Sequence, residues 1–190
     1  MKQIFFQLLV CCLLYNQCFG FMLVGSGISV ASCTENTVAS CSTIDDGGSL
    51  YTGYQRAQSL QVTTSGTLSK VRAYIHGDAM EPGDSGIFSV RIGTTTDLSV
   101  SYLSSGSVTI SDGQTGWVSV DMSGSQTLNT STTYYIMFDW SEISGDKIDL
   151  GFSYSASCLT TGEMYYAFSG WDLTGATTGF DLAIEVITCD

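Results

Sequence analysis

Short runs in which apolar and polar residues strictly alternate fill most of this chain. In Lys70–Ile75, Val71, Ala73 and Ile75 share one side, and Lys70, Arg72 and Tyr74 the other. Leu60 with Val62, then Phe88, Val90 and Ile92, then Val118, Val120 and Met122 repeat the rule. Ile148, Leu150, Phe152 and Tyr154 alternate with Asp149, Gly151 and Ser153, and Phe180, Leu182, Ile184 and Val186 alternate with Asp181, Ala183 and Glu185. A period of two sends successive side chains to opposite faces, so each run predicts a strand buried on one side and wetted on the other. Residues 134–138 are apolar at every position and predict a central strand covered on both faces. Trp140 shares the phase of Ile136 and Phe138 and is expected inside; Trp117 lies out of phase with Val118 and Val120 and is expected outside. No sustained stripe of period 3.6 follows the first twenty residues.

Turn signals divide the runs at Asp45–Gly48, Pro82–Gly83, Asp112–Gly113 and Ser169–Gly170. The reading is an all-β chain of about eight or nine strands. They form two antiparallel sheets stacked as a jelly-roll-like sandwich. Composition agrees. Of 190 residues, 44% are apolar and 13% charged, with 21 glycines and a single proline, which suits one turn-rich domain and excludes a disordered or proline-rich one.

The N-terminus carries a different pattern. Lys2 precedes an apolar stretch from Ile4 to Tyr15, and Cys18 and Gly20 are small residues placed for cleavage before Phe21. Residues 1–20 are expected to be a signal peptide, 21–48 an irregular disulfide-stapled segment, and 49–190 the sandwich domain. A retained membrane anchor is disfavoured because Gln7, Asn16 and Gln17 interrupt the apolar run. Of seven cysteines, Cys11, Cys12 and Cys18 depart with the leader. Cys33, Cys41, Cys158 and Cys189 remain, an even set that predicts two disulfides in an exported protein. Sequence leaves three pairings open; Cys33–Cys41 with Cys158–Cys189 is preferred for its short first loop.

Lys2 is one of six basic residues, and all eighteen acidic residues lie beyond the leader. So acidic a surface repels phosphate backbones and anionic lipid, which argues against nucleic-acid or membrane partners and permits neutral glycans, cations or basic proteins.

Residues 57–62 (AQSLQV) and 65–74 (SGTLSKVRAY) resemble the opening strands of a jelly-roll module of secreted and surface-attached proteins. Residues 116–121 (GWVSVD), 128–136 (LNTSTTYYI) and 181–186 (DLAIEV) resemble its later landmarks, in the same order. Such modules are similar to carbohydrate-binding and galactose-binding-like domains. The resemblance implies a sandwich and a binding role; fold analogy alone does not fix the function.

Candidate chemistry follows from that frame. Sugar binding needs flat aromatic faces beside hydrogen-bonding groups. Tyr165, Tyr166, Phe168 and Trp171 gather late in the chain, with Trp171 and Tyr166 the first choices for a platform and Tyr165 and Trp117 beside them. Calcium takes carboxylate and carbonyl oxygens on irregular loops. Asp45 with Asp46 is one candidate site for a structural ion, and Asp78, Glu81 and Asp84 an alternative; no other cofactor is expected. Asn129-Thr-Ser131 is an N-glycosylation acceptor in a predicted turn. Gly83-Asp-Ser-Gly86 with His76 spells a protease-like motif, but a histidine only nine positions ahead of Ser85 does not build a nucleophile–base–carboxylate relay. His76 is expected as an exposed loop residue or a modest hydrogen-bonder, and no acid pair stands out for glycoside hydrolysis.

The expectation is therefore a secreted, non-catalytic binding module for a glycan or an extracellular protein. The alternative is a self-assembling structural protein of a surface layer, matrix or virion, with the apolar stretch Phe21–Val30 free to pair with a neighbouring copy.

Overall fold

The computed structural model describes residues 33–76, 84–99, 101–141, 147–154, 158–159, 162–167, 176–177 and 179–190. No helix occurs among them, and none is long and apolar enough to cross a membrane. In chain order the strands are β1 (Glu35–Ser40), β2 (Asp46–Tyr51), β3 (Gln55–Leu60), β4 (Gly66–His76) and β5 (Ser85–Gly93). β6 (Ser104–Ser111), β7 (Thr115–Asp121), β8 (Thr127–Leu128), β9 (Tyr134–Ser141) and β10 (Lys147–Ser153) follow. β11 (Met164–Ala167), β12 (Ala176–Thr177), β13 (Asp181–Leu182) and β14 (Ile184–Cys189) close the chain.

They make two antiparallel sheets packed face to face, the all-β sandwich that the alternation predicts and one compatible with a jelly-roll-like fold. One sheet has eight strands, with the path β1-β14-β4-β10-β13 and β2, β7 and β8 paired to β10 and β4. The other has six, in the order β12-β11-β3-β9-β5-β6. Between them lies one apolar core to which β4 gives Leu68, Val71, Ala73 and Ile75, β5 gives Phe88, Val90 and Ile92, and β9 gives Ile136, Phe138 and Trp140. Leu68 and Val71 are three apart, yet both face inward. Opposite them Ile187 pairs with Lys70 and Thr188 with Leu68, so Ser69 is an extra residue that resets the phase of β4. β9 is covered on both faces, as expected: Met137 is buried on the outer side against Ala57 and Leu98.

Several expectations are corrected. Residues 35–40 and 46–51 are strands within the eight-stranded sheet rather than an irregular segment. The run Asp45–Gly48 does not turn. A Cβ on Gly48 would lie 3.1 Å from the Arg56 guanidinium carbon, and one on Gly47 3.2 Å from Asp149 Cβ, so these glycines serve close packing instead. Among the described residues fourteen strands replace the eight or nine expected, because elements of two residues such as β8, β12 and β13 are too short to show a period. His76 ends β4, paired with Asp149 and Thr115, and is not in a loop.

The alternation breaks where the eight-stranded sheet forks. Ala183 wedges between β10 and β4, its N–H donating to Gly151 O (2.8 Å) and its carbonyl accepting from Tyr74 N (3.0 Å). β13 runs beside β10 and β14 beside β4. Around this fork Asp181 and Ser153, both expected outside, are buried, while Tyr154, expected inside, is exposed. The preferred disulfide pairing is also overturned. Cys41 bonds Cys158, 117 residues away, and tethers the turn after β1 to the segment after β10. Cys33 and Cys189 are disulfide-bonded as well.

Candidate functional site

The outer face of the six-stranded sheet is built from four strands in register. Gln55 of β3 lies opposite Asp139 of β9, Asp139 opposite Ser89 of β5, and Ser89 opposite Ser107 of β6. Side chains directly opposite one another point to the same face, so these four form one polar row across the sheet. In the neighbouring row, Tyr165, Ala57, Met137, Arg91 and Ser105 follow one another across β11, β3, β9, β5 and β6.

The segment after β5 folds back over part of this face. Leu98 seats on Gly93, where a Cβ would come within 2.4 Å of its Cδ2, and it buries Ala57 and Met137. Leu103 N donates to Ile92 O (2.7 Å) and pins the returning chain. This fold-back fixes Arg91, whose Nη1 donates to Leu98 O (2.9 Å) and whose guanidinium carbon stands 4.8 Å from the centre of the exposed Tyr102 ring. What remains open is a groove of about 390 Å³ lined by Ser89, Arg91, Ser105, Gly106, Ser107 and Asp139.

Asp139 governs the electrostatics of the groove. Gln55 Nε2 donates to its Oδ1 (2.8 Å). Burial raises its carboxyl above the ordinary range, against the Gln55 hydrogen bond and the charge of Arg91, which pull the other way. The hydroxyls of Ser89, Ser105 and Ser107 make no hydrogen bond to a described residue. The groove therefore offers a partly dehydrated carboxylate, a fixed guanidinium and three unengaged hydroxyls within one recess.

A second recess, of about 340 Å³, lies on the eight-stranded sheet and is lined by Ile44, Asp45, Asp46, Gly47, His76 and Asp149. Two of its three carboxylates, Asp45 and Asp46, accept hydrogen bonds at the Tyr154 end. Asp45 Oδ2 accepts from Ser153 Oγ (3.0 Å) and Tyr154 N (2.8 Å). Asp46 accepts from its neighbour Gly47 N (2.8 Å) and from Tyr154 Oη (2.5 Å), and the tyrosine bond in particular holds its carboxyl below the usual range. Among the described residues no group of three metal-ligating side chains is arranged to hold an ion. Asp84 is described, its carbonyl accepting from Asp112 N (2.9 Å); Asp78 and Glu81 lie outside the described residues.

Among the described residues, the aromatic candidates Tyr165, Tyr166 and Trp117 lie on three different faces. Tyr165 is on the outer face of the six-stranded sheet, its ring edge-on to Tyr135 (5.7 Å). Its hydroxyl donates to Glu163 (2.9 Å), and burial first, then that bond, pushes its phenol to about 12. Tyr166 packs toward the core beneath the Arg56 guanidinium (4.7 Å). Trp117 is on the outer face of the other sheet, with Arg72 over its ring (5.4 Å). Trp171, Phe168 and Phe21–Val30 lie outside the described residues. Asn129 is exposed in the turn after β8, its N–H donating to Tyr134 Oη (2.8 Å). Ser85 and His76 stand in different sheets.

Residues of the groove carried a signal that went unused: Asp139 is the one charge in the apolar run 134–140, and Arg91 the one charge between Val90 and Ile92. A charge inside a buried strand needs a partner and so marks a place worth examining. The chain matches no described protein family and no curated protein.

Proposed function

We propose that this protein is an extracellular, non-catalytic binding module that takes a neutral glycan on the outer face of its six-stranded sheet. The observation that carries the reading is the polar row through Ser107, Ser89 and Asp139, set beside Arg91 in an open groove. Sugar hydroxyls both donate and accept, so a carboxylate, a guanidinium and serine hydroxyls fixed on a rigid sheet complement them. Tyr102, exposed at the rim over Arg91, supplies an apolar face for C–H groups. Binding without turnover is supported by the groove lining, in which Asp139 is the sole carboxylate among the described residues; hydrolysis of a glycosidic bond ordinarily uses two. Disulfide bonding at Cys33, Cys41, Cys158 and Cys189 fits an oxidising compartment outside the cell.

A glycan array followed by titration calorimetry tests the reading. The wild-type protein is expected to bind a neutral glycan saturably, and Asp139→Asn, which keeps an oxygen for Gln55, to weaken that binding about tenfold or more, the worth of a charge-assisted hydrogen bond. Trp117→Ala, on the opposite sheet, is expected to leave it unchanged. Absence of binding to every neutral glycan, or equal loss in both variants, would refute the reading.

A further inference from the structure

We infer that the groove receives the non-reducing end of a sugar chain and not an internal stretch, an inference that rests on the glycan reading above. Along the row from β6 to β3 the side chains pass from exposed Ser107, through half-buried Ser89 and Asp139, to Gln55, which is only 5% exposed. Among the described residues β6 is the last strand of its sheet, and although Ser123 N donates to Ser105 O (2.8 Å) beside it, Ser107 is exposed, so the row is open at Ser107. On the β3 side it is closed: the Gln55 amide occupies Asp139 Oδ1, and in the next row Leu98 covers Ala57 and Met137. A chain lying right across the strands would have to displace both.

Asp139 to Ser107 spans two strand spacings, roughly 10 Å. That is room for about two pyranose rings, the innermost against Asp139 and Arg91 and the next over Ser89 and Ser107. At the closed end a carboxylate and a guanidinium face the same small volume. A pair of adjacent free hydroxyls satisfies both, one donating to Asp139 and one accepting from Arg91. The non-reducing terminal sugar carries such a pair. An internal sugar can keep such a pair too, but it carries a further unit on both sides, and at the closed end that unit would meet Gln55 and the Leu98 fold-back.

The test uses calorimetric titration of the full secreted protein with a neutral oligosaccharide identified on the array. The ligand is supplied in increasing lengths and with its non-reducing terminal hydroxyls methylated. Affinity is expected to rise from one to two sugars and then to change less than about twofold, and methylation to weaken binding at least about tenfold, the loss of one hydrogen bond to a charged group. Ser107→Ala is expected to lower affinity for the disaccharide and leave that for the monosaccharide unaltered. Equal binding of the methylated chain, or of the same sugars closed into a ring, overturns the inference while leaving the glycan reading intact. Failure to bind any neutral glycan overturns both.

Discussion

Asp181 offers a direct measure of how the two sheets are held together. It is fully buried in β13, and Gln58, on β3 of the other sheet, is buried beside it. Asp181 Oδ1 accepts from Gln58 Nε2 (3.0 Å) and Oδ2 from Leu159 N (2.9 Å). Gln58 in turn accepts from Leu182 N (2.9 Å) and donates to Ser59 O (3.2 Å). Gly162 closes the site, since a Cβ there would lie 2.6 Å from Asp181 Oδ1. The mutation Asp181→Ala leaves two N–H groups without acceptors where water does not reach. Each such group costs about 1–3 kcal/mol, for a gross loss of about 2–6 kcal/mol. Part is recovered because a carboxylate no longer has to be kept out of water. A net loss of about 3 kcal/mol is expected, a fall in Tm of roughly 6–12 °C for a domain of this size.

Urea and thermal unfolding, followed by circular dichroism in non-reducing buffer, would read this loss. Gln58→Ala removes one of the two donors that Asp181→Ala orphans. In that background Asp181→Ala should therefore cost less, with a coupling between about 0.5 and 3 kcal/mol. Asp181→Asn should fall between wild type and alanine: its oxygen can still accept from Leu159 N–H, but its amide opposes that of Gln58, which cannot flip without losing Leu182. If Asp181→Ala lies within about 0.5 kcal/mol of wild type, or the two substitutions add without coupling, the account of the buried pair is wrong.

Two further predictions test the groove and the close approach of the sheets. Because burial raises the Asp139 carboxyl above its unfolded value, the folded protein binds that proton more tightly. The site's contribution therefore falls as pH rises from about 4 through the folded pKa; urea midpoints at pH 4 and pH 7 should show Asp139→Asn gaining on wild type at the higher pH, and a constant or reversed gap would contradict the sign. Gly106 of β6 has no room for a side chain, since a Cβ would stand 2.2 Å from Asp121 O and 2.8 Å from Val120 Cγ1. Gly106→Ala should cost about 1–3 kcal/mol by forcing β6 and β7 apart, whereas an unchanged urea midpoint would show that the two strands separate freely.

The alternation of side chains by itself determined the class of fold, because a period of two can bury one face only in a sheet. It also placed Val71, Ala73 and Ile75, Phe88, Val90 and Ile92, and Trp140 inside the core, where they lie. Local periodicity carries no information about what meets across the chain. Asp181 looks outward by phase, yet it is buried because the sheet forks at Ala183 and brings Gln58 and Leu159 to it. Glycines 47 and 48 read as a turn, but packing against Asp149 and Arg56 makes them part of a strand. Cys41 reaches Cys158 across 117 residues, a separation against which loop length argued in the wrong direction. The groove is of the same kind: Gln55, Ser89, Ser107 and Asp139 are scattered in the chain, and only strand register sets them in one row. Alternation says which way a side chain points; tertiary pairing decides what it points at.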